Sequence, residues 1–226
     1  MLKAIVFDFD GVIANSEPLH FQGFRDVLAE EGVTLAEADY YARYLGYDDV
    51  GVFRAIGVER GVGWTPTEIL DFVARKAVRL EALERDASIL FPGAADAVRR
   101  AAAAVPLAIA SGALGAEIRR VLDRENLTRY FPTIVSAEDT PVSKPAPDPY
   151  LRVLAQLADV LGERLSPETC VAIEDSHWGL QSARAAGLKT VGVAHTYDAA
   201  ALADADLVIE GLDALNIEQL VKVCSR

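Results

Sequence analysis

The stretch Ile5-Val6-Phe7-Asp8-Phe9-Asp10-Gly11-Val12 decides how the chain is read. An apolar run stops at two aspartates, one residue apart, and then a glycine. The apolar part reads as a buried strand, because parallel strands covered on both faces are almost continuously hydrophobic. Side chains alternate along a strand, so Asp8 and Asp10 are expected to share a face. Two carboxylates on one face are costly unless a cation or a proton lies between them. The competing reading is a pair of turn-capping aspartates, with Gly11 supplying an unusual φ. The rest of the chain chooses between the two.

After Gly11 the chain leaves the strand. Ser16 reads as an N-cap, with Glu17 and Pro18 in the first turn of a helix. Leu19, Phe24, Val27 and Leu28 recur at helical spacing over residues 19–31, and Gly32 ends the run. Helical patterns continue over residues 36–44, 48–60 and 67–85, and no strand pattern appears between residues 15 and 87. Beyond Phe91-Pro92-Gly93 helices and strands alternate. Helices are expected at 94–104, 113–126, 148–161, 178–186 and 216–223. Strands are expected at 106–110, 133–136, 170–173, 190–193 and 207–209. Such alternation implies an α/β fold, a Rossmann-like parallel sheet with helices on both faces. The expected division is a core of residues 1–14 and 88–226, with an all-helical cap of residues 15–87 inserted after the first strand.

Composition narrows the partners. A 51% hydrophobic and 25% charged chain of 226 residues suits a soluble globular protein. A net charge of −12 argues against nucleic acid, whose backbone needs a basic patch. It leaves room for a small phosphate ligand, where one lysine and a metal reverse the local field. Cys170 and Cys224 are expected to be free thiols in a reducing compartment. Asp8 and Asp10 interrupt any signal-peptide pattern, and no stretch is long and apolar enough to span a bilayer. A cytoplasmic protein with no membrane partner is therefore expected.

Sites in such folds gather at the carboxyl ends of the strands. The first strand end carries Asp8 and Asp10. The second carries Ser111-Gly112, suited to an anion, although an ordinary N-cap would look the same. The third feature is Lys144-Pro145-Ala146-Pro147-Asp148, in which prolines stiffen a loop ahead of a helix. A lone lysine is usually a solvated charge. The fourth is Glu174-Asp175-Ser176, where a helix cap is the plainer alternative. Together they place two acid pairs, a hydroxyl and a lysine at one sheet edge. Hard oxygen ligands suit Mg²⁺ rather than zinc. A carboxylate approaches a phosphate dianion only when cations offset both charges. At an effective dielectric of ~20, each cation about 4 Å away contributes at most roughly 4 kcal/mol.

The order D-F-D-G-V, Ser111-Gly112, Lys144-Pro145-Ala146-Pro147-Asp148 and Glu174-Asp175-Ser176-x-x-Gly179 resembles the haloacid dehalogenase superfamily. Within it, the chain is most similar to the group that holds β-phosphoglucomutase and phosphoglycolate phosphatase. The resemblance covers nearly the whole chain, and it implies roles for the matching positions. Asp8 would be the nucleophile and Asp10 the acid and base. Mg²⁺ would be held by Asp8, the Asp10 carbonyl and Asp175, with Glu174 in support. Ser111, Lys144 and backbone N–H groups near Gly11 and Gly112 would bind the transferring phosphoryl group. A small phosphorylated metabolite is the implied substrate and a monomer the expected state.

Mutases of this group carry basic residues around a cap glycine. The matching stretch here is Arg43-Tyr44-Leu45-Gly46-Tyr47-Asp48-Asp49, with Leu45 and Asp49 where positive charge is expected. An acid there repels a second phosphate, which favours a phosphatase over a phosphosugar mutase. His20, Arg43, Asp49, Arg54 and Lys76 are the polar candidates for substrate specificity, and each alone would ordinarily be a surface side chain. His177 is a further cleft candidate. Trp64 and Trp178 read as packing residues. A non-catalytic binding protein on the same scaffold would be expected to lack some of the acids or the lysine, and all are present.

Overall fold

The computed structural model describes residues 1–45, 47–85 and 88–225. Residue 87, the expected end of the insert, and Gly46 of the 43–49 stretch lie outside them. The chain separates into two compact units, Met1–Asn15 with Ile89–Arg226, and Ser16–Ser88.

The first unit begins with β1 (Ala4–Phe7). After the inserted unit it runs through α5 (Ala94–Ala102), β2 (Leu107–Ala110), α6 (Gly115–Arg124), β3 (Thr133–Val135) and α7 (Asp148–Leu161). It ends with β4 (Cys170–Glu174), α8 (His177–Ala185), β5 (Lys189–Val193), β6 (Leu207–Ile209) and α9 (Ile217–Val223). The inserted unit holds α1 (Glu17–Glu30), α2 (Glu37–Arg43), α3 (Asp49–Arg60) and α4 (Pro66–Glu84), with no strand among its described residues.

The strands form one parallel sheet in the order β3-β2-β1-β4-β5-β6. The sheet is the α/β arrangement expected from the alternation. Connections from β1 run to one side and the β3–α7–β4 crossover returns to the other. The reversal opens between β1 and β4, where open sheets of this kind bind ligands. Residues on one face are small: Ala4 and Val6, Ala108 and Ala110, Cys170 and Ala172. That permits Tyr150, Val153, Leu154 and Leu157 of α7 and Ala183 of α8 to pack close, all buried. The alternate residues Ile5, Phe7, Leu107, Ile109, Val171 and Ile173 are also buried, and Phe7 meets Phe131 edge-on at 6.1 Å. Burial on both faces is why these strands read as unbroken apolar runs.

Most expected elements shift only at their ends. The helix expected from residue 113 starts at Gly115, with Leu114 as its N-cap. Ser111 is therefore not that cap. Its hydroxyl oxygen accepts from Ala113 N–H at 3.1 Å, closing a turn ahead of the helix. Ser16 is the residue before α1 but makes no side-chain capping bond, because it already has helical backbone angles.

The helical unit has its own core. Phe21, Phe24, Val27 and Leu28 of α1 pack against Val52, Phe53 and Ile56 of α3 and Ile69 and Phe72 of α4. Phe53 lies 5.2 Å from Phe24 and 5.5 Å from Phe72, ring centre to ring centre. Pro66 and a Thr65–Glu68 capping box start α4, and Asp48 caps α3 by accepting from Gly51 N–H at 2.7 Å. Trp64 packs on Phe72 as expected. Trp178, also expected to pack, is 43% exposed at the start of α8, so that expectation is corrected.

Phe53 is fully buried between two aromatic rings, so its truncation opens a cavity in the helical core. Phe53→Ala is expected to cost ~3–5 kcal/mol. Urea unfolding of the full chain checks this, and a loss under 1 kcal/mol (roughly the effect of a surface change) would refute this packing.

Candidate active site

The β1–β4 pairing brings the first and fourth sequence features together. Phe7 pairs with Ile173, and the ladder continues with Asp8 N–H donating to Ile173 O at 2.9 Å. Asp8 thus leaves the sheet beside Glu174 and Asp175. Carboxylate oxygens of Asp8, Glu174 and Asp175 all lie within 4.8 Å of one another, and all three residues are buried. β1 ends at Phe7, so strand alternation does not relate Asp8 to Asp10. Asp10 sits half-buried in a tight turn in which Ile13 and Ala14 N–H both donate to Phe9 O. Asp8 also serves its turn, with Oδ1 accepting from Phe9 N–H at 2.7 Å. Asp8 therefore makes a turn-capping bond in the same geometry that sets its carboxylate beside Glu174 and Asp175.

Lys144 is not a solvated charge. Its Nζ pairs with Asp8 Oδ1 at 2.9 Å and Glu174 Oε1 at 2.7 Å. Burial alone would lower its pKa, but the Asp8 and Glu174 carboxylates outweigh that and raise it, so it stays charged. Tyr150 of α7 donates its hydroxyl to Glu174 Oε1 at 2.5 Å. The helix after β4 is capped by Ser176, which accepts from Gly179 N–H at 3.2 Å. Glu174 and Asp175 are therefore released from capping. On the other side of β1, Phe7 pairs with Ile109, which sets Ser111 one residue beyond the end of β2. Ser111 is buried and Gly112 exposed, with nothing within 4 Å of where its side chain would begin.

Two glycines make the crowding possible. Gly11 has φ +74°, and a Cβ there would lie 2.0 Å from Asp175 Oδ2. A Cβ on Gly179 would lie 1.9 Å from Glu174 Oε2. No other residue fits either place without moving a carboxylate.

The charges do not balance, with three acids against one ammonium. Burial, then the neighbouring Asp8, pushes Asp175 up to about 7, against the bond from Thr196. Burial also raises Glu174, with Lys144 opposing. Glu174 Oε2 is buried and has no hydrogen-bond partner among the described residues. Converging carboxylate oxygens with one orphaned acceptor fit a hard divalent cation.

Among the polar residues of the helical unit, Lys76 corrects the surface reading, since it is fully buried. Its Nζ pairs with Asp49 Oδ1 at 2.7 Å, lies 2.8 Å from His20 Nδ1 and sits over the Phe24 ring. An ammonium only donates, so Nδ1 accepts; burial, then Lys76, holds the ring's pKa well below its usual value. The signal was present in the sequence, because Ile69, Phe72, Lys76 and Leu80 fall on one helical stripe. Arg43 pairs with Glu59, Arg54 is exposed on α3, and His177 is exposed at the start of α8. Sequence reasoning missed Tyr150, His195 and Thr196. Tyr150 could have been found as an aromatic on the inward stripe of α7, but no local pattern marks the other two.

Residues 5–193 match the haloacid dehalogenase-like hydrolase family. The chain belongs to it. Protein CbbY of Rhodobacter capsulatus is 34% identical over 199 residues, 84% of each chain. Hexitol phosphatase B of Escherichia coli is 30% identical over 194 residues, 85% of this chain and 83% of that one. The crystal structure of CbbY from Rhodobacter sphaeroides in complex with phosphate superposes with a TM-score of 0.84 at 26% identity. It covers 96% of this chain and 97% of that one.

An acid whose folded pKa is raised contributes stability below its unfolded value, and loses it as the pH rises through the folded value. For Asp175 that window runs from the ordinary carboxylate range up to about 7. A cation held by these carboxylates would bind their ionised forms and displace those protons. Mg²⁺ is therefore expected to raise the melting temperature more at pH 8 than at pH 5.5, and Asp175→Asn should lose most of that increment. Differential scanning calorimetry in EDTA and in Mg²⁺ checks this. An Mg²⁺ effect independent of pH and of Asp175 would contradict it.

Proposed function

We propose that this hydrolase is a Mg²⁺-dependent phosphatase that hydrolyses a small phosphomonoester, a sugar or polyol phosphate, through an aspartyl-phosphate on Asp8. The observation that carries the reading is the convergence of buried Asp8, Glu174 and Asp175 on one another, with Lys144 bridging two of them. The relatives that are named phosphatases or are solved with phosphate support it. The core unit would perform the chemistry and the helical unit would set specificity.

Asp8, Asp175 and the Asp10 carbonyl would hold the ion, with Glu174 in support. Bound Mg²⁺ would offset the negative charge of the carboxylates and of the substrate phosphate. In the first step an Asp8 carboxylate oxygen attacks phosphorus and the bond to the ester oxygen breaks. Asp10 gives its proton to the leaving alkoxide. In the second, the Asp10 carboxylate takes a proton from water as that water attacks the phosphorus of the aspartyl-phosphate. Phosphate leaves and Asp8 is restored. Lys144 holds Asp8 against Glu174 throughout and contributes positive charge beside the attacking oxygen. Ser111 and the N–H groups around Gly112 would receive the phosphoryl oxygens.

Hydrolysis is favoured over mutase chemistry by the charges of the helical unit. Pairing with Lys76 offsets the repulsion that Asp49 alone would exert on a second phosphate, so that part of the sequence expectation is weakened. Arg43, the one cation in the 43–49 stretch, is paired with Glu59. That stretch therefore offers a distal phosphate one cation, already partnered by Glu59. The test is product analysis with a panel of sugar and polyol monophosphates, β-glucose 1-phosphate included, in Mg²⁺ and in EDTA. Free phosphate that disappears in EDTA and in Asp8→Asn is the expected result. Conversion of glucose 1-phosphate to glucose 6-phosphate would make the enzyme a mutase. Retained turnover in Asp8→Asn would remove the nucleophile assignment.

A further inference from the structure

The segment after β5 reaches the site from a strand two places away from β1. Ala194 N–H donates to Ile209 O and His195 N–H donates to Val193 O, both at 2.9 Å, so the chain turns sharply out of the sheet. His195 Nδ1 then lies 3.0 Å from the Gly11 carbonyl oxygen. A carbonyl only accepts, so Nδ1 carries the proton in this contact. The imidazole stacks on Phe91, with centroids 3.8 Å apart and planes 16° from parallel, which fixes the ring. The next residue, Thr196, donates its hydroxyl to Asp175 Oδ2. Neither residue has a part in the chemistry described above.

The two bonds converge on one contact. Asp175 Oδ2, the oxygen held by Thr196, is also the atom that lies 2.0 Å from where a Gly11 Cβ would stand. Consecutive residues thus hold both sides of it, the backbone turn and the carboxylate. A carboxylate bonded through one oxygen cannot turn freely about its Cβ–Cγ bond, and its other oxygen is left for a cation. Outer partners of this kind raise metal affinity by orienting a ligand before the metal arrives.

We propose that Thr196 and His195 are positioning residues of the cation site, Thr196 fixing the Asp175 carboxylate and His195 fixing the Gly11 turn against it. The inference rests on the cation reading of the acid cluster. Its test is calorimetric titration of Mg²⁺ into the full chain as wild type, Thr196→Val, Thr196→Ser and His195→Phe. Valine keeps the branched shape without a donor, serine restores the hydroxyl, and phenylalanine keeps the stack on Phe91 without the N–H. Thr196→Val is expected to weaken Mg²⁺ binding ~10-fold or more, with Thr196→Ser within about threefold of wild type and His195→Phe in between.

Wild-type affinity in Thr196→Val overturns the inference. So does a lower melting temperature of the metal-free variant with unchanged affinity, which marks a purely structural role. If Thr196→Val does not fold, wild-type affinity in His195→Phe overturns the inference, and weakened binding there upholds it. Absence of Mg²⁺ binding by the wild type removes the underlying reading itself, and is seen before any variant is made.

Discussion

Everything at this site depends on holding three carboxylates together away from water with, among the described residues, one ammonium between them. Asp8, Glu174 and Asp175 are buried within a few ångströms of each other, and Lys144 pairs with two of them. Like charges at that spacing repel strongly when desolvated. The sheet opposes the repulsion. Parallel pairing of β1 with β4 fixes where Asp8 and Glu174 leave the ladder, and the small-residue face lets α7 press Tyr150 onto Glu174. Gly11 and Gly179 supply the last of the room. The stability of the core and the chemistry of its edge are therefore one problem, since the same register that builds the sheet assembles the acids.

The helical unit manages its charges differently. Arg75 pairs with Glu30 and Glu31, Arg79 with Glu30, Arg43 with Glu59, and Lys76 with Asp49. Most of these pairs are partly exposed and stabilise little individually. Lys76 is the exception, because it is enclosed with His20, Asp49 and Phe24. Each unit thus encloses one lysine against carboxylate, Lys76 against Asp49 and Lys144 against Asp8 and Glu174.

The fold was legible because both faces of the sheet are buried, which makes its strands apolar runs and its connections helical. The four motifs were legible for a related reason. Each follows directly on a strand or precedes a helix, so the topology alone carries it to the same edge. Strand alternation predicts a shared face for Asp8 and Asp10, yet the strand stops at Phe7 and a turn carries Asp10. Contacts between distant segments left no local trace. Tyr150 to Glu174, Thr196 to Asp175 and His195 to Gly11 depend on where α7 and the segment after β5 pack. The burial of Lys76 was written in the stripe of α4 but obscured by the residue type, since lysine at a core position is rare without a partner.

The central claim is that a divalent cation completes the acid cluster. The most direct measurement is an anomalous difference map from crystals of the chain grown with Mn²⁺ in place of Mg²⁺. The account predicts a peak bounded by the Asp8 and Asp175 carboxylates and the Asp10 carbonyl, at ordinary metal–oxygen distances of about 2.0–2.3 Å. A map with no peak there, and Lys144 still bridging Asp8 and Glu174, would mean that the lysine alone balances the site and that the cation reading is wrong.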